Sequence, residues 1–490
     1  MATAPRSRPR SRDGGAFLCA SCDATSLQWA GRCPACGEWN TLGPAPVRRG
    51  NGKSGTIEGP PALALVDVST DGTRPLPTGV SELDRVMGGG VVAGSVTLLF
   101  GPPGIGKSTL LFQVLSSLAA TGLDVMLASA EESLAQVRGR ASRIGAVPRS
   151  LLAIEGPDVE AIEAAVERHR PALVVVDSLQ SVSDPELGQP AGSLAQVRTC
   201  VERLTRMAKS TGAPLLLVGH VTKDGDLAGP RAVEHLVDTV LSFDGDRHHA
   251  LRVLTSVKHR FGPAGEVGIF EMRDDGLRAV PDPGPLLLGD RMAGVPGSVV
   301  VPVLQGRRPL LVEVQALLGP GAGAGGGTGP PRPQTLGIDA ARANLLLAVL
   351  ACRTAVEIPA SAQMFAAAVG GITVTEPAAD LAVALAMASV ITDVPLPPDV
   401  VVFGELGLAG EVRTVPGADR RLAEAHRAGF TRALVPASLA SAPAVAPAGL
   451  AVHGVRTLAE ALSLLHSEAG ARGAPGTMAV WPTVPAAASL

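Results

Sequence analysis

Two long stretches of the chain alternate short apolar runs with longer amphipathic segments. In the first stretch, residues 63–280, the apolar runs lie at residues 96–100, 124–129, 171–178 and 214–219. Runs of this length that are apolar almost throughout are typical of strands buried on both faces of a parallel sheet, with helices covering those faces. A second pattern of the same kind runs from residue 297 to about residue 465. The patterning predicts an α/β chain with two sheet-based domains.

Segments rich in glycine, proline or charge predict where these domains begin and end. In chain order we expect a disordered basic tail (1–15), a four-cysteine module (16–42), a linker (43–62), the first α/β domain (63–280), a connector (281–296), the second domain (297–466) and a flexible tail (467–490). Within the second domain, residues 319–333 read G-P-G-A-G-A-G-G-G-T-G-P-P-R-P. Such a sequence cannot fill a core, so it predicts a flexible excursion.

The composition narrows the classes of partner. The chain has 490 residues, a net charge of −3, 2% aromatic residues and no tyrosine. A nearly neutral surface argues against non-specific polyanion binding by the whole protein, so any nucleic-acid contact must come from local basic patches. No apolar run approaches the roughly 20 residues of a membrane span, and no apolar segment follows the N-terminal arginines. We therefore expect a cytoplasmic protein with no membrane partner.

Four cysteines near the N-terminus have the spacing of a metal site. Cys19 and Cys22 form one C-x-x-C pair, and Cys33 and Cys36 form another after a ten-residue gap. Two such pairs fill the tetrahedral coordination of Zn²⁺ and leave no place for an activated water, so the predicted zinc is structural. A redox dithiol is the alternative, but it does not explain two pairs. Trp29 and Trp39 flank the second pair, and we expect them to pack over it.

A glycine-rich loop follows the first buried run of the first domain. Residues 101–109 read G-P-P-G-I-G-K-S-T, which fits the pattern G-x4-G-K-S/T. Between a strand and a helix, such a loop wraps backbone N–H groups around phosphates, its lysine reaches the β- and γ-phosphates, and its serine holds Mg²⁺. We therefore predict ATP and Mg²⁺ as ligands of a loop formed by Gly101, Pro102, Pro103, Gly104, Ile105, Gly106, Lys107, Ser108 and Thr109.

Polar residues at the ends of the other buried runs complete a predicted catalytic centre. Asp177 is placed as the Walker B carboxylate, which meets Mg²⁺ through water. Glu131, the first acidic residue after its strand, is the candidate to orient and deprotonate the attacking water. Glu132 is interpreted as a helix N-terminal residue favoured by the helix dipole. His220 is a candidate sensor of the γ-phosphate.

Two cations lie where an ordinary strand would end in a polar turn. Residues 256–262 read S-V-K-H-R-F-G after an alternating stretch at residues 250–256. Lys258 and Arg260 are two residues apart on an extended strand, so both side chains are expected to point the same way. The alternative is a solvated strand end.

Together these motifs resemble the RecA-type ATPases, and within them the RadA (Sms) family of bacterial DNA repair proteins. The resemblance runs from the four cysteines to about residue 465 and includes G-S-L-A-Q-V-R at 192–198, G-H-V-T-K-D-G at 219–225 and A-G-P-R-A-V-E-H at 228–235. The segment K-H-R-F-G at 258–262 resembles the motif that this family usually writes K-N-R-F-G, with His259 in place of asparagine.

The resemblance implies a homohexameric ring motor with a RecA-like P-loop core, which binds single-stranded DNA and drives branch migration alongside the RecA recombinase. In such rings ATP lies between subunits. It therefore implies that Lys258 and Arg260 act as a pair on the neighbour's nucleotide, where trans cations accelerate phosphoryl transfer roughly 10³-fold or more, or that they divide the task between that phosphate and DNA. Loops after Asp177 and His220 would meet DNA, with Arg198, Lys223 and Arg231 as candidate phosphate contacts.

The second domain resembles the proteolytic domain of Lon proteases, an α+β fold that uses a Ser–Lys dyad. Matching T-E-P-A-A-D at 375–380 to the nucleophile segment places Ala378 at the serine, and matching R-L-A-E-A-H-R-A-G at 421–429 places Arg421 at the lysine. Alanine has no nucleophile, and arginine cannot serve as a general base. We therefore expect a non-catalytic scaffold. Within it, residues 404–413 predict a hairpin.

Two other functions are compatible with parts of the pattern. One is an ATP-dependent Lon-like peptidase, which the missing dyad opposes. The other is a KaiC-like signalling ATPase, which the zinc module and the K-H-R-F-G strand disfavour. The leading hypothesis is a DNA-stimulated ATP hydrolase of DNA repair and recombination.

Overall fold

The structure, a computed structural model, divides into two compact units, residues 1–69 and residues 70–490. It describes residues 17–22, 24–26, 29–44, 64–67, 74–156, 158–220, 232–245, 251–320, 333–359, 362–440 and 447–472. The predicted tail at 1–15, most of the linker at 43–62, the centre of the 319–333 excursion and the end of the tail at 467–490 lie outside these residues. In the part of the chain described, no helix is both long and apolar enough to cross a membrane.

The N-terminal unit contains a small antiparallel sheet. Its strands are β1 (Phe17–Cys19), β2 (Thr25–Ser26) and β3 (Leu42–Pro44), in the order β2-β1-β3. Cys19, Cys33 and Leu42 form the buried cluster, and Phe17 packs against it. Apolar burial in a core this small cannot stabilise the folded unit by itself, so a bound metal is the expected source of stability.

The second unit begins with a nine-stranded sheet in the described residues, ordered β12-β11-β10-β9-β4-β8-β7-β5-β6. The strands are β4 (Val96–Gly101), β5 (Val125–Ser129), β6 (Leu151–Glu155), β7 (Leu173–Asp177), β8 (Leu215–His220), β9 (Thr239–Asp244), β10 (Leu251–His259), β11 (Val267–Arg273) and β12 (Gly276–Ala279). Strands β4 to β9 are parallel, as predicted, and β10 to β12 extend the sheet in antiparallel fashion.

Among the described residues, five helices cover this sheet. They are α1 (Ser81–Val86), α2 (Lys107–Ala120), α3 (Leu134–Ile144), α4 (Val159–His169) and α5 (Leu194–Thr211). Side chains alternate along each strand, so Leu173 and Val175 pack in the cluster that contains α2, whereas Val174 and Val176 pack with α4 and α5. Ser133 and Ser193 cap α3 and α5 through their hydroxyls. Burial on both faces explains why these strands are apolar throughout.

The C-terminal domain has a seven-stranded sheet in the described residues, ordered β15-β16-β14-β13-β17-β20-β21. Its elements are α6 (Gly284–Leu288), β13 (Ser298–Gln305), β14 (Arg308–Pro320), β15 (Gln334–Leu336), α7 (Ala340–Arg353), β16 (Ala362–Ala368), α8 (Asp380–Thr392), β17 (Val400–Val402), β18 (Glu405–Leu406), β19 (Val412–Arg413), α9 (Ala418–Arg427), β20 (Arg432–Pro436), α10 (Ala437–Ala440), β21 (Ala451–Val455) and α11 (Leu458–Arg472).

Helix α8 is the centre of this domain. It is apolar on all sides and buried from Asp380 to Ser389, which is how a fully enclosed helix reads in sequence. Strands β18 and β19 pair antiparallel, with Glu405 opposite Arg413, and form the hairpin that the sequence predicts. Helix α11 runs to Arg472, so residues 467–472 of the segment predicted as a tail are helical.

A buried ion pair joins the C-terminal domain to the first sheet. Arg308, at the start of β14, pairs with Glu82 of α1, and both side chains are buried. Glu82 also accepts a hydrogen bond from the backbone N–H of Ile269 at 2.8 Å. The Arg308 guanidinium donates in addition to the carbonyls of Val267 (3.3 Å) and Pro281 (2.5 Å). The carboxylate and guanidinium thus satisfy each other at the junction of the two domains.

We predict that Arg308→Ala lowers the free energy of unfolding by about 3–5 kcal/mol, because Glu82 is left as an unpaired buried charge. Urea unfolding followed by circular dichroism measures the change. The control is Arg456→Ala, because Arg456 forms an exposed pair with Glu460 at 3.5 Å and its loss should cost under about 1 kcal/mol. Equal losses for the two variants would contradict the importance of burial.

Candidate functional site

The glycine-rich loop lies between β4 and α2 and has the backbone that an anion site requires. A Cβ on Gly101 would lie 2.2 Å from the carbonyl oxygen of Phe243, so only glycine fits there. Gly104 and Gly106 have φ of +77° and +115°, which side-chain-bearing residues rarely adopt. Gly106 caps α2 without a side-chain hydrogen bond, so the first N–H groups of the helix face the loop. The loop therefore presents backbone donors to a phosphate.

Lys107 is held inside this loop. Its Nζ donates to the carbonyls of Gly101 (2.8 Å) and Pro102 (3.1 Å), and the residue is only 4% exposed. Burial lowers the pKa of Lys107, while the carboxylates of Asp177 and Glu131 act in the opposite direction. The Lys107 ammonium is therefore held by two loop carbonyls, close to two carboxylates. A phosphate bound in the loop can replace these carbonyls as the acceptor of its hydrogen bonds.

The ends of four parallel strands bring the other predicted residues to this loop. Gly101 of β4 lies beside His220 of β8, and Ser129 of β5 lies beside Asp177 of β7. Ligand atoms of Glu131, Asp177 and His220 all lie within 4.8 Å of one another. The His220 Nε2 is 3.3 Å from the Glu131 Oε1.

Oxygen ligands suited to Mg²⁺ lie at the same edge. Ser108, Glu131 and Asp177 line one cavity of about 30 Å³, roughly the size of one water. Hydroxyl and carboxylate oxygens are the donors that Mg²⁺ prefers. The residues present fit the ion, and Ser108 and Asp177 would hold it.

Sequence reasoning missed the residues that orient Glu131. The hydroxyls of Ser178 and Ser181 donate to Glu131 Oε1, the second at 3.4 Å. Gln180 Nε2 donates to the His220 carbonyl at 3.4 Å. All three follow Asp177 in the sequence D-S-L-Q-S. Their position directly after the Walker B strand could have indicated that they lie near Glu131.

The two neighbouring glutamates have different surroundings. Glu131 faces His220 and the serine hydroxyls, whereas Glu132 forms an ion pair with Arg140 at 3.0 Å. Glu132 precedes the Ser133 cap of α3 and so lies just outside that helix. The geometry therefore favours Glu131 as the carboxylate next to the reacting water.

The two cations of the K-H-R-F-G segment both follow a β-bulge between Ser256 and Lys258. Lys258 lies opposite Val240, and the N–H of Arg260, just past the end of β10, donates to the Asp238 carbonyl, so both cations contact the segment at 234–238. Lys258 turns inward, and its Nζ donates to the carbonyls of Glu234 (2.6 Å) and Val237 (2.8 Å). Burial lowers the pKa of Lys258, and the charge of Arg260 lowers it further.

Arg260 is the more accessible cation. Its side chain is 55% exposed and lies 3.4 Å from Asp238. Asp238 is itself buried and accepts a hydrogen bond from the N–H of Val96 at 3.1 Å. Arg260 therefore lies level with the N-terminal end of β4, whereas the glycine-rich loop follows the C-terminal end of the same strand.

Of the three candidate DNA contacts, only Arg198 belongs to the described residues. It lies on the first turns of α5, is exposed, and pairs with Glu202 at 3.1 Å. An exposed pair of this kind is weak and can be exchanged for a phosphate. Lys223 and Arg231 lie outside the described residues.

The four N-terminal cysteines have the geometry of a tetrahedral zinc site. The Sγ atoms of Cys19 and Cys36 are 3.7 Å apart, and those of Cys22 and Cys33 are 3.8 Å apart. Four sulfurs at a Zn–S distance of about 2.3 Å would be about 3.8 Å apart, so the donor set fits Zn²⁺. A hydrogen bond with the Thr41 hydroxyl lowers the pKa of Cys19 to about 6.

The tryptophans do not pack over this site, contrary to expectation. Trp29 and Trp39 are largely exposed, and the guanidinium of Arg32 lies over the Trp39 ring at 5.9 Å. The single buried layer of the three-stranded sheet is already filled by cysteine and leucine side chains.

The two Lon-like dyad positions hold a buried alanine and a buried arginine, and the arginine forms an ion pair with Glu376. Ala378 is buried, and Arg421 is fully buried with its Nη2 2.6 Å from Glu376 Oε2. Arg421 also donates to the carbonyls of Pro302 and Pro416 and lies over the Phe403 ring at 5.8 Å. Position 378 therefore offers no nucleophile, and the guanidinium at position 421 offers no general base.

Matches to known proteins agree with these sites. Residues 17–44 match the rubredoxin metal binding domain, residues 59–226 the AAA domain, and residues 355–438 the ChlI subunit of Mg-chelatase. The fold and site define a RecA-like P-loop ATPase that carries a zinc ribbon and a Lon-protease-like C-terminal domain. A KaiC-like protein from Pyrococcus horikoshii covers 43% of the chain at 19% identity with a TM-score of 0.37, a likeness that carries no argument.

Relatives identify the family within this class. The DNA repair protein RadA of Mycolicibacterium smegmatis is 45% identical, and the match covers 87% of this chain and 92% of the relative. The RadA proteins of Bacillus subtilis (42% identical, 91% and 97% covered) and Pseudomonas aeruginosa (45% identical, 92% and 98% covered) are similar. The chain belongs to the RadA family of DNA repair proteins.

We predict that Cys33→Ala lowers the zinc content of the full-length protein well below one ion per chain, because three thiolates leave the coordination incomplete. Zinc released on denaturation is measured with a chromogenic chelator. Cys352→Ala is the control, since Cys352 is an exposed free thiol outside the cysteine cluster. Loss of zinc in both variants would contradict the assignment.

Proposed function

We propose that this DNA repair ATPase is stimulated by single-stranded DNA and works beside the RecA recombinase to drive branch migration of recombination intermediates. The RadA relatives are named as DNA repair proteins, and the P-loop, Glu131 and Asp177 form a site suited to ATP hydrolysis. In this proposal Lys107 and Ser108 bind the nucleotide and its Mg²⁺, Glu131 orients the attacking water, and His220 senses the γ-phosphate.

The proposed DNA contacts lie after strands β7 and β8, close to the nucleotide. Ser178, Gln180 and Ser181 occupy the first of these segments and contact Glu131 or His220. A change in this segment on DNA binding would therefore move the groups next to the reacting water. With so few aromatic residues, contacts through Arg198, Lys223 and Arg231 would be to phosphates and sensitive to salt.

The observation that supports ring assembly is the distance of Lys258 and Arg260 from the glycine-rich loop of their own chain. Lys258 lies opposite Val240, and Val240 lies beside Leu98 of β4. Arg260 lies about five residues, roughly 16 Å, along the strand direction from Gly101, and two strands, roughly 10 Å, to the side. Neither cation can reach the nucleotide of its own loop, so a trans role on a neighbouring subunit of a homohexamer is the arrangement that we propose.

We predict that single-stranded DNA raises ATP turnover of the parent protein severalfold and that Lys107→Ala abolishes turnover with and without DNA, because the phosphates lose their cation. Phosphate release at two salt concentrations measures this, and stimulation should weaken as salt rises. Equal turnover with and without DNA in the parent protein would count against the proposed stimulation.

We predict that Arg260→Ala loses about 10³-fold in turnover while assembly persists, because the neighbour's phosphoryl group loses its cation. Mixing it with Lys107→Ala should restore part of the activity, since mixed rings contain interfaces with both groups intact. The control is Arg278→Ala, an exposed arginine on strand β12, which should retain activity. Assembled mixtures without recovery would exclude the trans role.

A further inference from the structure

A cavity of about 690 Å³ opens on the C-terminal domain between the connector and one end of its sheet. Residues 290–297 form one wall, and strands β13 to β16 form the other. We call it the β15 groove. It is lined by Asp290, Met292, Val295, Pro296, Gly297, Ser298, Glu313, Gln315, Ala316, Leu317, Gln334, Thr335, Leu336, Phe365, Ala366 and Ala367.

The walls of the β15 groove expose large apolar side chains. Met292, Leu317 and Leu336 are 74%, 61% and 69% exposed, and Val295 and Phe365 are also exposed. Isolated apolar residues on a surface need no explanation, but a cluster around one cavity is typical of a site that another group covers.

The polar groups at the floor of the groove already have partners. The Ser298 hydroxyl donates to Glu313 Oε1 at 2.5 Å, and both residues are buried. Arg291 Nε donates to the Ser298 hydroxyl at 3.3 Å, and its Nη1 donates to the Pro398 carbonyl at 3.0 Å. The charged lining residues are Asp290 and Glu313, both acidic, so the groove does not suit nucleic acid. It suits an occupant that contributes apolar side chains.

Strand β15 offers such an occupant an edge that no other described strand covers. It is the outermost strand of the sheet, and β16 is its strand partner among the described residues. An extended segment that lies in the groove can pair with an exposed edge through its backbone while its side chains fill the cavity.

We propose that the β15 groove is the docking site of residues 478–484 of this chain, M-A-V-W-P-T-V. These residues lie in the 18 residues that follow Arg472, none of which carries a charged side chain. Met478, Val480, Trp481 and Val484 supply apolar groups. Pro475, Pro482 and Pro485 oppose helix formation and reduce the entropy lost when an extended segment is ordered.

The segment has the length to reach the groove. It leaves α11, which packs against α7 and α8, and α8 packs on strands β13 and β14 of the same sheet. Helix α7 in turn contacts strand β15. Met478 lies six residues and Trp481 nine residues after Arg472, which span up to about 20 Å and 30 Å when extended, whereas a seven-stranded sheet is about 30 Å wide. The proposal therefore needs no rearrangement of the described residues.

Trp481 is the reporter for the test. The chain has three tryptophans and no tyrosine, so the full-length double variant Trp29→Phe/Trp39→Phe emits from Trp481 alone. We expect blue-shifted emission and reduced acrylamide quenching relative to a synthetic peptide of residues 473–490. Leu317→Asp and Leu336→Asp in this background should return both signals to the peptide values. Leu408→Asp is the matched control, because Leu408 is equally exposed but lies at the hairpin turn outside the groove.

A second experiment measures competition between the chain's own C-terminal segment and an added peptide for the β15 groove. The fluorescein-labelled peptide 473–490 should bind the full-length Trp481→Ala variant roughly tenfold more tightly than the parent, whose groove is filled. Leu317→Asp should remove this binding. Trp481 emission equal to that of the peptide, or unchanged by both groove substitutions, overturns the proposal. So does a Leu317→Asp variant that dissociates an oligomer without altering Trp481, which would make the groove a subunit interface.

Discussion

The nucleotide site depends on the register of four parallel strands. Pairing of β4 with β8 places Gly101 beside His220, and pairing of β5 with β7 places Ser129 beside Asp177. A slip of one residue would exchange the two faces of a strand. Two apolar clusters, one on each face, hold the alternate side chains and oppose any slip. The chemistry at the sheet edge is therefore positioned by apolar packing far from it.

The same sheet explains why its cationic segment lies far from its own loop. Strands β10 to β12 extend the sheet in antiparallel fashion, so β10 ends where β9 begins. The glycine-rich loop and the two cations thus lie at opposite ends of the parallel strands of this sheet. Under the proposed trans arrangement, the two ends are complementary surfaces of a head-to-tail contact. Such contacts close into rings when the rotation between subunits permits.

Short sequence spacing predicted the parts of the site that are local. The phosphate loop and the C-x-x-C pairs were predicted because each is set by neighbouring residues, and the buried runs predicted the strands that carry Glu131, Asp177 and His220. The bulge before Lys258 could not be predicted, because it depends on the pairing of β10 with β9 and leaves no trace in the residue types. The tryptophan prediction failed because it assumed a core that the small sheet lacks.

Tertiary contacts supplied what spacing could not. The Glu82–Arg308 pair joins residues that are 226 positions apart, so no local pattern could indicate it. Ser178 and Ser181 became visible as partners of Glu131 only when two strand ends were brought together. The exposed apolar walls of the β15 groove are likewise a property of the folded surface.

The Arg421–Glu376 pair limits what a single substitution at the Lon-like dyad positions can do. A serine at position 378 would find no general base at position 421, because a guanidinium cannot accept its proton. Substitution of Arg421 alone would leave Glu376 without its cationic partner. The Glu376 carboxylate accepts hydrogen bonds from both the Arg421 guanidinium and the N–H of Leu304. Neither single substitution therefore completes a Ser–Lys dyad at these two positions, because one lacks a base and the other leaves a carboxylate without its partner.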